Sequence, residues 1–534
     1  MTVEAIIVLG IAAVCCILLT NRFNLIGPVL LIAAGAGASF IPGVSEASLS
    51  PTIVLTIFLP FLLYWESLSV SLVRMKRALR GIILSATVLV IITAGIIAGV
   101  GVALGLSLGA ALLIGACLGP TDATAVASLG KGIAPAGRTI LQSESLLNDG
   151  TALAIFAIAL SIADNGQSVT TSNVITQFVL SIGAGAGAGL LCGLTFTTLL
   201  PRIIRIDNDP LLAVLCTIVS PFVAYFAAEE LHGSGVLAVV TAGVFASWRG
   251  VGADTVRLRA FGRPFWTVTT FLLNTILFLM VGVSLPGIIS SMPQATLTRA
   301  LILIPAIYVA MVLARFVGHH SIIFAIRALD RRPQQRERRT NFRSRLVTTV
   351  AGFRGAISLA MAVSIPLTFG ESTYGERDII VLVVAGVTLL SLIIQGIALP
   401  VVVRWAAQAP TPFLEMDARA EAGETQAVGA TVRDLIEEID SLASSVDVTD
   451  ADTIERVRAD YLQRMHNLMM SGNFKEYRAY APDELRLRLA CVSFLRNAAF
   501  EQRRAGNIDD STFDYIRDCL DTETRHIEGP LEVE

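Results

Sequence analysis

Residues 1–405 consist mainly of apolar stretches about twenty residues long, separated by polar residues or by Gly and Pro. Hydrophobic residues make up 54% of the chain and charged residues 16%, which excludes an ordinary soluble globular fold. Because a membrane-spanning helix needs about 20 mostly apolar residues, the pattern predicts an all-α polytopic membrane protein with about thirteen spans. The predicted spans are 3–20, 24–42, 51–69, 81–104, 108–130, 141–163, 174–200, 209–230, 233–248, 264–288, 297–327, 347–368 and 378–405.

The basic residues of the connecting loops agree with this count. With the loops alternating between two sides, one side together with the end of the last span carries 22 Lys and Arg, while the other carries only Arg299 and Arg377. Basic loops face the cytoplasm, so the N-terminus is predicted outside and the tail inside, in the cell (plasma) membrane. The arginine-rich run 331–339 is therefore interpreted as a cytoplasmic loop beside lipid headgroups and not as a nucleic-acid site.

The chain changes character after residue 410. Residues 1–410 hold 26 Lys and Arg against 17 Asp and Glu, whereas residues 411–534 hold 14 against 26. The passage Arg503–Asp509 predicts a helix that ends at Gly506, followed by the start of another helix. We interpret 1–405 as a transmembrane domain, and 411–534 as a small cytoplasmic helical domain for regulation or dimer contacts.

Five ionisable side chains lie within the apolar stretches: Glu66, Asp122, Glu144, Asp149 and Arg354. A charge at the centre of a span costs about 3 kcal/mol on insertion scales, so such residues usually face the bundle interior or a watery cavity. On a helix, Glu144 lies over Asn148, and Ser145 lies over Asp149. One face therefore carries two carboxylates, an amide and a hydroxyl, which predicts that the chain moves a small cation or a proton.

Two predicted spans contain internal breaks. The fifth has Gly119 and Pro120 just before Asp122, and the twelfth has glycines on both sides of Arg354. Proline and glycine favour unwinding, and unwound backbone at this depth must be buried in protein or line a cavity. The breaks are seven spans apart, which predicts inverted repeats (spans 1–6 and 8–13) with two crossed discontinuous helices. The alternative is a pair of ordinary kinks with Asp122 and Arg354 in a structural ion pair.

Three motifs in this order, Thr121-Asp122, Glu144–Thr151 and Gly352–Ala356, resemble the monovalent cation/proton antiporters. The likeness is strongest to the NhaP-type sodium/proton antiporters and the eukaryotic sodium/proton exchangers, and it covers residues 1–405. It implies a homodimer in which a six-helix core domain moves against a dimerisation domain. Ala123 departs from the family pattern, because many relatives have proline there.

The resemblance also implies roles for individual residues. Asp149, in the Asn148-Asp149 pair, would be the carboxylate for which cation and proton compete. Sodium would be bound by Asp149 with the Ser145 hydroxyl, the Thr121 backbone and Asp122.

Within the same family pattern, Glu144 would form an ion pair with Arg354 that holds the core together. No catalytic residue or cofactor is expected, because the predicted protein is not an enzyme.

Physical chemistry favours the same mechanism, because a buried carboxylate is both a hard oxygen ligand and a base. Competition of a cation and a proton for one carboxylate predicts electroneutral exchange of sodium (or lithium) for protons, since Asn148 adds no second titrating group. A potassium/proton antiporter and a gated cation channel remain alternatives.

Five further polar residues lie in or near the predicted spans. Glu66 is interpreted as lining an ion funnel or as structural, because it lies towards the predicted cytoplasmic end of its span. Asn274 and Ser284 are assigned to helix packing. His319 and His320, near a predicted cytoplasmic helix end, could sense pH, although a pair of histidines at a membrane interface is more often incidental.

Overall fold

A computed structural model describes residues 3–23, 25–44, 50–68, 85–122, 135–165, 171–207, 210–249, 256–329, 342–366, 374–408, 434–435, 437–459 and 482–528. All regular secondary structure in these ranges is helical, which confirms the predicted fold class. The chain forms two compact units, the first drawn from residues 1–412 and the second mainly from residues 413–534.

The first unit contains helices α1 to α15. They are α1 Val3–Phe23, α2 Gly27–Ala38, α3 Pro51–Leu68, α4 Val90–Ala103, α5 Leu108–Leu118, α6 Pro135–Asn165, α7 Thr171–Asp207, α8 Pro210–Glu230, α9 Gly235–Arg249, α10 Val256–Ser291, α11 Gln294–Leu329, α12 Phe342–Val350, α13 Ala356–Val363, α14 Tyr374–Leu390 and α15 Gly396–Ala406. A π-helical turn, Ser85–Leu89, precedes α4, and another, Ser391–Gln395, joins α14 to α15.

Each of the thirteen predicted spans overlaps one or more of these helices. Among the described residues, seven helical segments are long and apolar enough to cross a membrane by length and composition. The helices α2, α5 and α9 are apolar but shorter than a full span. The exact number of crossings therefore remains a prediction.

Small residues let the helices of this unit approach closely. Gly185, Gly189 and Gly193 recur every four residues on α7 and face Ser234 and the first turns of α9, which follows it. A Cβ atom at Gly189 would overlap the main-chain oxygen of Ala238. This small-residue packing is typical of helices in membranes.

Both predicted helix breaks are present. Residues 119–122 after α5 and residues 351–355 between α12 and α13 are not helical. The main-chain N–H of Asp122 donates a hydrogen bond to the carbonyl oxygen of Phe353 at 2.9 Å, so the two breaks lie against each other. The rest of the predicted fifth span, to residue 130, falls outside the described residues, and the inverted-repeat relationship stays a prediction.

The second unit contains α16 Pro482–Ala505 and α17 Asp510–Glu528, which share an apolar core with residues 435–457. Gly506 has a φ of 78°, and the N–H of Asn507 donates to the carbonyl of Gln502 at 3.0 Å. This left-handed glycine and its hydrogen bond end α16 where the sequence predicts. The Asp509 carboxylate then accepts from the N–H of Thr512 at 2.7 Å and caps α17.

Candidate functional site

Helix α6 carries the polar face that the sequence predicts, within a helix that is otherwise largely apolar. Glu144, Ser145, Asn148 and Asp149 are all buried, and Asp149 is 0% exposed. The spacing of four places them on one side of the helix. The buried face of α6 lies against the break that follows α5.

Two side chains of α6 hold Thr121 of that break. The Ser145 hydroxyl donates to the Thr121 carbonyl oxygen at 2.6 Å. In the orientation that satisfies all its partners, the Asn148 amide nitrogen donates to the carbonyl oxygens of Ala86 and Glu144, both at 3.1 Å, and its oxygen accepts from the Thr121 hydroxyl at 3.2 Å. The unwound segment is thus fixed by hydrogen bonds to α6.

Asp149 has different surroundings from its neighbours. Neither carboxylate oxygen has a hydrogen-bond partner among the described residues. The group interacts electrostatically with the carboxylates of Glu66 and Asp122 and with the guanidinium of Arg354. A buried carboxylate without hydrogen bonds is costly in its charged form, so this group favours any state in which a proton or a cation neutralises it.

Glu66 lies closer to the predicted ligands than the sequence indicated. Its Oε1 atom is 3.3 Å from the Ser145 hydroxyl, and its carboxylate interacts electrostatically with Asp122 and Asp149. The structure therefore brings Glu66 into the carboxylate cluster. Helix α3 packs against α6 here, and the role of Glu66 in an ion funnel stays a prediction.

Asp122 occupies the point where the two breaks touch. Besides the main-chain bond to Phe353, its carboxylate lies directly against Gly355, where a Cβ atom would overlap it. Glycine at position 355 is thus required for this close approach. The break between α12 and α13 therefore lies where the Asp122 carboxylate packs.

The predicted ion pair between Glu144 and Arg354 is wrong. Glu144 instead pairs with Arg315 of α11, with 3.0 Å between Oε1 and Nη2, and both side chains are 4% exposed. His319, one turn along α11, places Nε2 3.9 Å from the same oxygen. Arg315 also donates to the Thr348 carbonyl at 3.2 Å. His319 is therefore buried beside this pair and not at a helix end as predicted.

Arg354 has other partners, which explains the correction. Its side chain, with the residue only 1% exposed, donates to the carbonyl oxygens of Leu118 at 2.5 Å and Gly352 at 2.7 Å. Carbonyls at the C-terminal end of a helix carry partial negative charge, so the breaks after α5 and α12 attract a cation. The guanidinium donates to main-chain carbonyl oxygens and forms no ion pair with Glu144.

The π-helical turns supply two more contacts that the sequence did not indicate. The Ser391 hydroxyl accepts from the N–H of Arg354 at 3.1 Å and donates to Gln395 at 3.0 Å. Ala86, which accepts from Asn148, lies in the turn Ser85–Leu89. Such turns are frequent at functional sites, but no local sequence signal marks them.

This arrangement combines the chemistry of a cation site with that of a proton acceptor. Within the described ranges, no three His, Cys, Asp or Glu side chains are arranged to hold a metal ion by themselves. A cation at Asp149 would therefore need hydroxyl or carbonyl oxygens as well. Ser145, on the same buried face of α6, and Thr121, which is bonded to Ser145, carry such groups. Monovalent cations accept oxygen ligands of this kind, and a proton needs only the carboxylate.

Comparisons with known proteins show which family this chain is similar to. The sequence model of the family described as "Sodium/hydrogen exchanger, transmembrane" matches residues 9–405. An uncharacterised Na⁺/H⁺ exchanger of Mycobacterium tuberculosis is 33% identical over 537 residues, covering 99% of this chain and 97% of the relative. The Na⁺/H⁺ antiporter ApNhaP of Aphanothece halophytica is 31% identical over 381 residues, covering 70% of this chain and 68% of that protein.

A solved structure shows the same fold. The sodium proton antiporter MjNhaP1 from Methanocaldococcus jannaschii is similar with a TM-score of 0.59 at 19% sequence identity, covering 75% of this chain and 98% of that one. The family match extends over the helices that hold Asp149 and both breaks. This multi-pass membrane chain therefore belongs to the sodium/hydrogen exchanger family.

Proposed function

We propose that this protein exchanges sodium (or lithium) for protons without net charge movement, by competition of the two ions for Asp149 with alternating access. One observation carries the proposal: the Asp149 carboxylate is 0% exposed and has no hydrogen-bond partner among the described residues. A charged group in that position needs a counter-ion. Either a proton or a cation supplies it, and the two exclude each other.

The same observation supports obligatory exchange. The empty, charged form of Asp149 is disfavoured while the site is closed to water, since its carboxylate is buried without hydrogen bonds and lies near two other carboxylates. Moving the site across the membrane therefore requires a bound proton or cation. For one cation to be exchanged for one proton, Glu66 and Asp122 must neither gain nor lose protons during the transport cycle.

The proposed cation ligands are Asp149, the Ser145 hydroxyl, Thr121 and Asp122. The position of Glu66, 3.3 Å from the Ser145 hydroxyl, adds it to this set. We assign Asn148 to positioning Thr121. Oxygen ligands of this kind suit sodium, lithium and potassium alike, so a potassium/proton antiporter is the second candidate.

Purified protein in lipid vesicles with an internal pH dye tests the proposal. An imposed sodium gradient should change the internal pH, and the change should persist when valinomycin and potassium clamp the membrane potential. The same experiment with sodium, lithium and potassium ranks the cations. Cation flux that generates a current and no proton movement would instead identify a gated channel.

The Asp149→Asn variant tests the assignment of the carboxylate. It should abolish exchange while the protein still elutes as a folded species. Asp378→Asn is the matched control, because Asp378 pairs with Arg377 away from this cluster, and it should exchange normally. Retained sodium-dependent proton flux in Asp149→Asn would show that another group carries the ions.

The assembly and the placement in the cell remain proposals as well. We propose a homodimer in the plasma membrane with the N-terminus outside and the second unit in the cytoplasm, where it regulates transport or contributes dimer contacts. The charge asymmetry of the loops supports this orientation. Mass measurement of the purified protein and protease access to residues after 412 in sealed vesicles test both statements.

A further inference from the structure

Arginines and aromatic rings meet where α12 begins and α15 ends. Helix α12 starts at Phe342 and packs against both α11 and α15. The guanidinium carbon of Arg343 lies 4.7 Å from the centre of the Trp405 ring, and its Nη1 donates to the Trp405 carbonyl oxygen at 3.3 Å. The ring of Phe342 lies 6.4 Å from that of Phe316 of α11. This end of the first unit therefore presents positive charge next to aromatic surface.

Two arginines beside Trp405 have no carboxylate partner among the described residues. Arg343 donates to the main chain of Trp405, and the exposed Arg404 donates to the Pro400 carbonyl oxygen at 3.3 Å. A guanidinium carries five N–H donors in a fork that matches the oxygens of a phosphate. Most donors of these two side chains are therefore available to an anion with several oxygen atoms.

The same face of α15 carries an apolar stripe that leads to the arginines. Ile397 is 67% exposed and Val401 is 61% exposed. With Trp405, which is 37% exposed, they recur every four residues and so share one side of the helix. Tryptophan is enriched where the hydrocarbon of a membrane meets its headgroups. The surface thus changes from apolar to basic within two turns of one helix.

We propose that an anionic phospholipid binds to this surface, with its headgroup phosphate at Arg343 and Arg404 beside Trp405. Its acyl chains lie along Ile397 and Val401. The arginine-rich loop before α12 assigns this end of the unit to the cytoplasm. The cytoplasmic leaflet contains anionic lipids, and basic pockets between spanning helices on that side bind their headgroups.

An acidic segment of the chain is the other candidate partner. Residues 411–534 hold 26 Asp and Glu against 14 Lys and Arg. A phospholipid fits this surface better, because it combines a negative headgroup with apolar chains. Those two parts match the arginines and the apolar stripe, which follow each other on α15.

Native mass spectrometry of the purified protein measures the binding. Phosphatidylglycerol should bind more tightly than phosphatidylcholine. One arginine near a membrane surface contributes about fivefold to the affinity for anionic lipid. Arg343→Gln and Arg404→Gln should therefore each weaken phosphatidylglycerol binding about fivefold, and the double variant should weaken it roughly 25-fold. Phosphatidylcholine binding should stay unchanged in all of them.

Arg299→Gln is the matched control. Arg299 is also exposed and also donates to a main-chain carbonyl, that of Gly105 at 3.1 Å. It lies near the beginning of α11, far along that helix from Phe316, and its replacement should leave phosphatidylglycerol binding unchanged. Equal affinities in the control and in the double variant, or equal binding of the two lipids, would overturn the proposal. The same result is expected if the acidic segment 411–534 covers the arginines.

Thermal unfolding in detergent distinguishes a lipid from a free anion. Phosphatidylglycerol should raise the melting temperature of the unaltered protein, because a ligand that binds only the folded state stabilises it. The rise should be much smaller in the double variant, which should melt like the unaltered protein when no lipid is present. Inorganic phosphate should have little effect, and a rise equal to that with phosphatidylglycerol would show a simple anion site and refute the lipid. Neither measurement needs transport, so the result is independent of the proposed exchange.

Discussion

Replacing Glu144 with glutamine keeps the shape of the side chain but removes the negative partner of Arg315. The two charged atoms are 3.0 Å apart and both side chains are 4% exposed. At an effective dielectric constant of about 20, their attraction is about 5 kcal/mol. Because the remaining guanidinium is left buried without a counter-charge, we expect the folded state to lose about 3–5 kcal/mol.

A double-mutant cycle isolates the pair. Glu144→Gln and Arg315→Met should each lower the melting temperature in detergent strongly. The double variant should lose clearly less than the sum, because no unpaired charge remains, with a coupling energy of about 1–3 kcal/mol. Arg315→Met also deprives the Thr348 carbonyl of its donor, so recovery should be incomplete.

A second cycle with Arg354 supplies the control. Arg354 bonds to backbone carbonyls, so Glu144→Gln combined with Arg354→Met should show a smaller coupling than the pair with Arg315. Thermal unfolding of all variants, followed by tryptophan fluorescence, gives both coupling energies in one experiment. Additive losses for Glu144 and Arg315, or a larger coupling to Arg354, would refute the assignment of the partner.

Three further predictions concern other parts of the chain. Gly355→Ala should lower stability by about 1–3 kcal/mol and impair exchange, because the new Cβ overlaps the Asp122 carboxylate. Gly99→Ala is the control, because the space around Gly99 is open. If the two variants had the same ion flux and the same melting temperature, the expectation would be contradicted. Asn148→Asp adds a titratable group to the cluster, so the exchange rate, measured with and without a valinomycin clamp, should become dependent on membrane potential. Burial raises the pKa of the Cys491 thiol to about 12, so its alkylation by iodoacetamide at pH 8 should be roughly a hundredfold or more slower than that of a free thiol, and faster as the pH rises. The mass of the peptide that carries Cys491 measures this, and rapid labelling of Cys491 in the folded chain would argue against its burial.

The sequence predicts local features of this molecule well, because their causes are local. The apolar stretches predict helices, Gly119 and Pro120 predict the break after α5, and Gly506 predicts the end of α16. Each depends on backbone chemistry within a few residues.

Partners that come from distant parts of the chain are harder to predict. Arg315 lies within the predicted span 297–327, so the criterion that selected the other intramembrane charges also applies to it. The sequence contains no information on which of two arginines is nearer to Glu144. The position of Glu66 beside Ser145 depends in the same way on how α3 packs against α6, which helical periodicity does not specify.

The hydrogen bonds of Arg354 determine which oxygen atoms are available to bind a transported ion. Its guanidinium occupies the carbonyl oxygens of Leu118 and Gly352 at the two breaks. Backbone carbonyl oxygens are ligands of the kind that replace the hydration shell of monovalent cations in channels. Because the Arg354 guanidinium already binds these carbonyl oxygens, a transported cation has to be bound mainly by side chains. Carboxylates take up protons and carbonyl oxygens do not, so the binding of the cation stays sensitive to pH.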